Sequence, residues 1–292
     1  MKKKKPLIIF HQPCPDGFGA AYSAWLVFGS SAEYLGADHG SYPKPDVRGR
    51  LVYVLDFSFP RDQLQEMQAL AAKLVLLDHH KTAEASLAGL PGIIFDTEKS
   101  GSRLAWEHFH PSKPFPQVLE FVEDRDLKRW AIVGSADFLA YLDAQPLDFK
   151  HWHKIIESGD EAICTYQAAG AAMERKMASM ARMLADLSEP VRIQGILGAK
   201  VNASYLCSDA IGTELYTRTG TFALIWRIAN GLLYVSLRSA LGSTDVADIA
   251  SLFGGGGHSF SAAFRLQVGT PAFDHFMNTY IYQEGRESPP PL

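Results

Sequence analysis

Three short apolar runs near the start of the chain each end on a side chain able to bind a metal. Leu7–Phe10 leads into His11, Leu51–Leu55 into Asp56, and Leu74–Leu77 into Asp78-His79-His80. Consecutive apolar residues, rather than alternating ones, mark strands whose sheet is covered by helices on both faces. Stretches of helical character, Gly17–Phe28 and Arg61–Ala72, separate the runs, and a fourth follows at Ile93–Phe95. This rhythm predicts βαβ units, and so an α/β domain over residues 1–150 with a mainly parallel sheet flanked by helices. In an open parallel sheet the carboxyl ends of the strands share one edge, where ligands bind, so the three run-ends are expected to meet.

Carboxylates gathered at one edge repel one another and raise each other's pKa values, and these loops hold too few Lys or Arg to neutralise them. A divalent cation resolves the conflict. Mixed imidazole and carboxylate donors suit Mn²⁺, Fe²⁺, Co²⁺ or Zn²⁺ better than Mg²⁺, and one or two Mn²⁺ ions are the expectation. Singly, each residue has an ordinary reading, since Asp at a strand end often caps the next helix. The three together point to metal.

With 47% hydrophobic and 21% charged residues in 292, the chain has material for two cores. Residues 151–189 are rich in helix formers and predict a helical linker, whose Met173, Met177, Met180 and Met183 recur at packing intervals. After Glu189-Pro190 the runs Val191–Ile196, Phe222–Ile228, Leu232–Leu237 and Phe264–Val268 predict a smaller C-terminal α+β domain over 190–283. The polar, proline-rich residues 284–292 are expected to be a disordered tail.

Cys14, Cys164 and Cys207 stand far apart and form no CxxC pair, which argues against a disulfide framework and for a cytoplasmic location. No apolar run nears the roughly 20 residues of a membrane helix, so no membrane partner is expected. A net charge of −4 disfavours long nucleic acids, so any nucleic-acid substrate is expected to be short. Four glycines before His258 predict backbone that turns sharply or approaches something closely; their amides can cradle an anion, though a plain turn reads the same. Ser100-Gly101-Ser102-Arg103 reads as a serine-capped helix start, with a phosphate contact as the alternative.

The segments HQPCPDGFGAAYSAW, VYVLDFSFP and LVLLDHHKT resemble the first three motifs of the Asp-His-His (DHH) phosphoesterase superfamily, which includes RecJ-like nucleases, nano-RNA-degrading enzymes and cyclic-dinucleotide phosphodiesterases. VEDRDLKRW resembles the fourth motif, and YVSLRSALGSTDVADIASLFGGGGH the core of the associated substrate-binding domain. The resemblance implies a pair of metal ions, usually manganese. One would be held by His11, Asp16 and Asp56, the other by Asp56, His79 and Asp124, with His80 facing the substrate phosphate. The residues themselves leave Asp124 and Asp126 open, and Asp124 is preferred because the family's fourth motif begins with its acidic ligand. Arg238, Gly255, Gly256, Gly257 and His258 would contact the substrate.

The chain departs from the family in two ways: it reads Asp16-Gly17-Phe18 where most members carry Asp-Gly-Asp, and Phe cannot ligate a metal; and the His11-to-Asp16 spacing is one residue longer than usual. Asp38-His39 is a candidate substitute. The implied activity is metal-dependent hydrolysis of a phosphodiester or phosphate of a nucleotide, dinucleotide or short oligonucleotide. An exopolyphosphatase-like hydrolase is the rival within the class, and a catalytically weakened nucleotide-binding module, suggested by Phe18, the rival outside it. Assembly is left open, with a homodimer as one candidate.

Overall fold

The computed structural model describes residues 4–38 and 42–282. The tail expected at 284–292 and the candidate His39 lie outside them. The chain divides into two units, Met1–Met173 and Glu174–Leu292, and the division falls within one helix, α8 (Asp160–Ala185).

In the first unit, β1 (Leu7–His11), β2 (Glu33–Ala37), β3 (Leu51–Leu55), β4 (Lys73–Asp78) and β5 (Ile93–Phe95) form one sheet in the order β2-β1-β3-β4-β5. Every pairing in it is parallel. The unbroken apolar runs follow from burial on both faces. Ile8, Phe10, Tyr53, Leu55, Val75 and Leu77 share a core with α1 (Pro15–Phe28), α4 (Gly101–Phe109) and α5 (Gln117–Asp126). Their alternates Leu7, Ile9, Val52, Val54, Leu74 and Leu76 pack with Leu64 and Met67 of α2 (Arg61–Leu70) and Leu87 of α3 (Lys81–Leu87). Each such side chain contributes about 1.5–3 kcal/mol on burial, so shifting a strand by one residue exchanges its two buried sets and misfits both faces. Helices α6 (Ser135–Asp143) and α7 (Phe149–Ile156) complete the first core through Phe138 and Trp152.

Strand order reverses between β1 and β3: the chain steps outward from β1 to β2, then crosses back to build β3, β4 and β5 on the other side. At such a switch point the connections leave in opposite directions, opening a crevice at the carboxyl ends of the strands. His11 ends β1 and Asp56 follows β3, so they flank it.

The second unit holds a six-stranded sheet, β10-β11-β9-β8-β7-β6, built from β6 (Glu189–Ile193), β7 (Ile196–Asn202), β8 (Phe222–Ala229), β9 (Leu232–Ser239), β10 (Gly256–His258) and β11 (Ser261–Gln267). Only β7 and β8 run parallel, joined by the crossover helix α9 (Ser208–Thr219). One face buries Phe222, Leu233, Val235 and Leu237 with α10 (Val246–Ser251) and α11 (Pro271–Phe276). The other buries Ala199, Val201, Ala223 and Ile225 against Ile211 and Leu215 of α9 and Ala181 and Ala185 of α8.

Two sequence expectations are corrected here. The run Val191–Ile196 is not one strand, because Gln194 and Gly195 take positive φ of 50° and 81° and turn the chain into the β6–β7 hairpin. The methionine stripe is not a core face: Met173, Met180 and Met183 are exposed. Among the described residues, no helix is long and apolar enough to cross a membrane.

Candidate metal centre

The centre begins with how the backbone brings the three strand ends together. Helix α1 starts four residues after β1, and its first turn passes so close to the strand that a Cβ on Gly17 would stand 2.3 Å from the His11 carbonyl oxygen. Glycine is required there, and the turn carries Asp16 to the sheet edge. Asp56 takes φ 55°, a left-handed conformation that is uncommon for non-glycine residues. Its amide donates to the Leu77 carbonyl at 2.9 Å, and its side chain lies against Gly101, where a Cβ would meet the Asp56 Cβ at 2.4 Å.

Asp16 is 1% exposed and accepts hydrogen bonds from the amides of Gly101 and Ser102 at 2.6 and 2.9 Å. The N-terminus of α4 therefore binds an internal carboxylate, with Ser100 capping through a 3.2 Å bond from the Arg103 amide. Capping is the role observed for Ser100, and the two leading amides are used by Asp16.

The donors fall into three overlapping groups: Asp16, His79 and Asp126; His11, Cys14 and Asp56; and Asp56, Asp78, His79 and His80. His79 Nε2 lies 3.1 Å from Asp56 Oδ1, 3.4 Å from Asp126 Oδ2 and 3.9 Å from Asp16 Oδ2. His11 Nδ1 lies 3.4 Å from Asp56 Oδ2, and the Cys14 sulfur joins that pair, all three donors within 4.8 Å of one another. Both oxygens of Asp78 also take hydrogen bonds. They accept from the Ser58 hydroxyl, from the amides of His79 and His80 at 2.8 and 3.3 Å, and from His80 Nδ1 at 2.7 Å.

Charge in this cluster is poorly compensated. Among the described residues no Lys or Arg forms an ion pair with Asp16, Asp56 or Asp126. Burial, then the charges of Asp56 and Asp126, raise the Asp16 carboxyl well above its usual range, and burial with Asp56 raises Asp126. Burial pushes Asp56 up as well, but the imidazoles of His11 and His79 beside it outweigh that and hold it low. Burial alone would lower His79; the carboxylates of Asp56, Asp16 and Asp126 prevail and raise it to about 9. The Cys14 thiol is pushed up by burial and then by Asp56 and Asp16, so without a cation it keeps its proton.

These residues fit a divalent ion. Asp56 Oδ1, His79 Nε2 and Asp126 Oδ2 are buried with no hydrogen-bond partner, an arrangement that costs about 1–3 kcal/mol per atom unless something else satisfies it. Donors about 2.1 Å from one cation stand about 3 Å apart when adjacent on its octahedron, close to the separations seen.

No family model matches the chain. An uncharacterized protein of Acanthamoeba polyphaga mimivirus is 30% identical over 284 residues, covering 88% of this chain, which spans 66% of that relative's length. Among solved structures, the pGpG-specific phosphodiesterase PggH of Vibrio cholerae aligns with 93% of this chain and 96% of its own at a TM-score of 0.53 and 12% identity. RecJ of Thermus thermophilus, solved in complex with Mn²⁺, aligns with 94% of this chain but only 51% of its own, at a TM-score of 0.52 and 12% identity. The chain has the fold of these two proteins. The two-domain architecture implied by the motifs is thereby shown.

Within that fold the predicted site residues sort as follows. His11, Asp16, Asp56 and His79 come together, but Asp16 groups with His79 and Asp126, while Cys14 takes the place expected for it beside His11. The preference for Asp124 is corrected. Its carboxylate accepts from the Ala131 and Ile132 amides at 2.7 and 3.2 Å and from the Ser135 hydroxyl at 2.7 Å, so it fastens the turn into α6, and Asp126 reaches the cluster instead. Phe18 leaves no gap in the centre. It is 3% exposed, stacks on Phe149 at 4.7 Å and meets Trp152 edge-on at 4.9 Å. A signal for this was present: Phe18, Tyr22 and Trp25 recur at the i, i+4, i+7 spacing of a buried helix face.

In the second unit the glycine-rich segment is partly a strand. Gly254, at φ 75°, turns out of α10, and Gly256 to His258 pair with β11. Side chains on Gly255 or Gly257 would run into the Ala263 and Ser261 carbonyls at 2.2 and 2.5 Å, so close approach of backbone explains those glycines. Ser261 pairs with Arg238 on one side and His258 on the other, putting both in one row across three strands. Cross-strand partners face the same way. Arg238 is held by Asp209 of α9 at 2.7 Å, and His258 stacks on Phe260 at 5.6 Å.

Proposed function

We propose that the chain is a divalent-metal-dependent phosphoesterase that hydrolyses a phosphodiester or phosphate of a nucleotide, dinucleotide or short oligonucleotide. The observation that carries the reading is the meeting of His11, Asp16, Asp56, His79 and Asp126 at the switch point, with buried donors aimed at one another and no cationic side chain paired with them. A bound transition ion there, Mn²⁺ first, would acidify a water, align it on phosphorus and neutralise charge on the transferring group.

The chain's own residues do the rest. Asp78 holds His80 Nδ1 at 2.7 Å, which fixes the ring, and the His80 side chain is one-third exposed. Burial lowers the His80 pKa, but Asp78 and Asp56 raise it more, so the ring tends to carry a proton that it can donate to a phosphate or leaving oxygen. A cavity of about 190 Å³ opens beside it, lined by Tyr42, Ser58, Phe59, Pro60 and Ser86. That volume suits a phosphoryl end rather than a whole nucleotide. Arg238 and His258, in one row, supply a second phosphate grip in this reading, the guanidinium offering its paired donors to two oxygens.

The pGpG specificity of PggH, and the alignment with 96% of its chain, favour a dinucleotide-sized substrate over polyphosphate. The binding-module alternative loses its motive, since Phe18 serves the core. Hydrolysis of bis-p-nitrophenyl phosphate and of pGpG by metal-stripped protein, with and without Mn²⁺, tests the reading. Mn²⁺-dependent turnover absent from Asp56→Asn is expected, and no turnover with any divalent ion would refute it.

A further inference from the structure

We infer that Cys14 is a metal ligand, and that with His11 and Asp56 it makes one of the two cation positions soft, selecting Zn²⁺, Co²⁺ or Fe²⁺ over Mn²⁺. The inference rests on the metal reading above, and adds to it a donor and a selectivity.

His11 and Asp56 alone offer two donors, whereas a catalytic ion of this kind takes three protein ligands and keeps a further place for water or substrate. The sulfur is the third candidate within reach. His11 Nδ1, the Cys14 sulfur and an Asp56 oxygen lie within 4.8 Å of one another, near the span across a cation whose bonds are about 2.3 Å. Asp56 is 1% exposed, and its Oδ2 lies 3.4 Å from His11 Nδ1, so a buried carboxylate already faces this position. Cys14 is the residue before α1, where a side chain would ordinarily cap the helix, yet its sulfur makes no capping bond. Pro15 opens that helix and needs no cap at its own nitrogen.

The two positions then differ in kind. Asp16, His79 and Asp126 offer two carboxylates and one imidazole, which suit Mn²⁺; His11, Cys14 and Asp56 offer sulfur, nitrogen and oxygen, which suit a softer ion. Binding at the second releases the sulfhydryl proton to solvent as the sulfur–metal bond forms. Asp56 bridges the two.

Co²⁺ reports sulfur ligation directly, because a thiolate bound to it gives a charge-transfer band in the near ultraviolet. Titration of the metal-stripped full chain with Co²⁺ is expected to produce that band, and Cys14→Ser to lose it. A Cys164→Ser/Cys207→Ser double variant should retain it. Cys14→Asp, which keeps three donors, should bind Co²⁺ with visible absorption but no thiolate band, and covers the case in which Cys14→Ser fails to fold. A parallel Mn²⁺ titration, followed by the paramagnetic resonance of the free ion, separates the two readings. Wild type that takes up Mn²⁺ but shows no thiolate band with Co²⁺, or a band that survives Cys14→Ser, overturns the Cys14 inference alone; wild type that takes up neither ion overturns the metal reading with it.

Discussion

The two units handle charge in opposite ways. At the edge of the parallel sheet, Asp16 and Asp56 are 1% exposed and their nearest positive partners are imidazoles, so charge is concentrated where water cannot relieve it. In the second unit several cations have partners: Arg238 with Asp209, Arg218 with Asp186, and Lys200 with the carbonyls of Tyr280 and Ile281 and with Glu189. Buried, unbalanced charge is costly and is kept only where a ligand repays it, whereas exposed pairs are nearly neutral in energy. The first unit thus concentrates poorly balanced charge at one buried edge, whereas the second pairs these cations within itself.

The largest effect that would break this contrast is at the shared carboxylate. Asp56→Asn should lower turnover about 1000-fold or more, with the fold retained by circular dichroism; turnover within tenfold of wild type would mean that the chemistry lies elsewhere. Phe18→Ala should cost about 3–5 kcal/mol of stability in urea unfolding, as removal of a large buried ring does, while Mn²⁺ uptake by the folded protein stays unchanged. A loss of metal without loss of stability would return Phe18 to the site.

Smaller effects sharpen the comparison. Asp78→Asn should reduce turnover about 10–100-fold and leave metal content alone, because it releases His80 rather than a cation. In the second unit, Arg238→Ala should raise KM about tenfold with kcat little changed, as loss of a uniform phosphate contact does. Asp209→Asn, which breaks the same ion pair but keeps the guanidinium, should leave KM unchanged or lower it and shift stability by no more than about 1 kcal/mol. Equal KM effects in both variants would reduce Arg238 to a surface ion-pair partner.

The parallel sheet and the meeting of its strand ends were legible because doubly buried strands write themselves as unbroken apolar runs. What followed the runs, His11, Asp56 and His79, was therefore placed by topology alone. The choice between Asp124 and Asp126 was not legible. Two residues apart on α5 they point about 200° apart around the helix, and which side meets the cluster depends on the turn at 130–135 that Asp124 fastens. Cys14 was passed over because cysteines were weighed as pairs, and its partners are a histidine and a carboxylate rather than a second thiol. Arg238 and His258 met across β11 because strand register aligned them, which a reading of loops could not supply.

Calorimetric titration of Mn²⁺ into the metal-stripped protein, repeated between neutral pH and about 9, tests the shared centre most directly. His79 holds its proton up to about 9, so below that value Mn²⁺ must displace it. Affinity should climb with pH by up to about tenfold per unit, with protons released to buffer, and the binding should vanish in Asp56→Asn. Saturable binding that ignores pH and survives Asp56→Asn, or no binding at all, would contradict a centre built on His79 and Asp56.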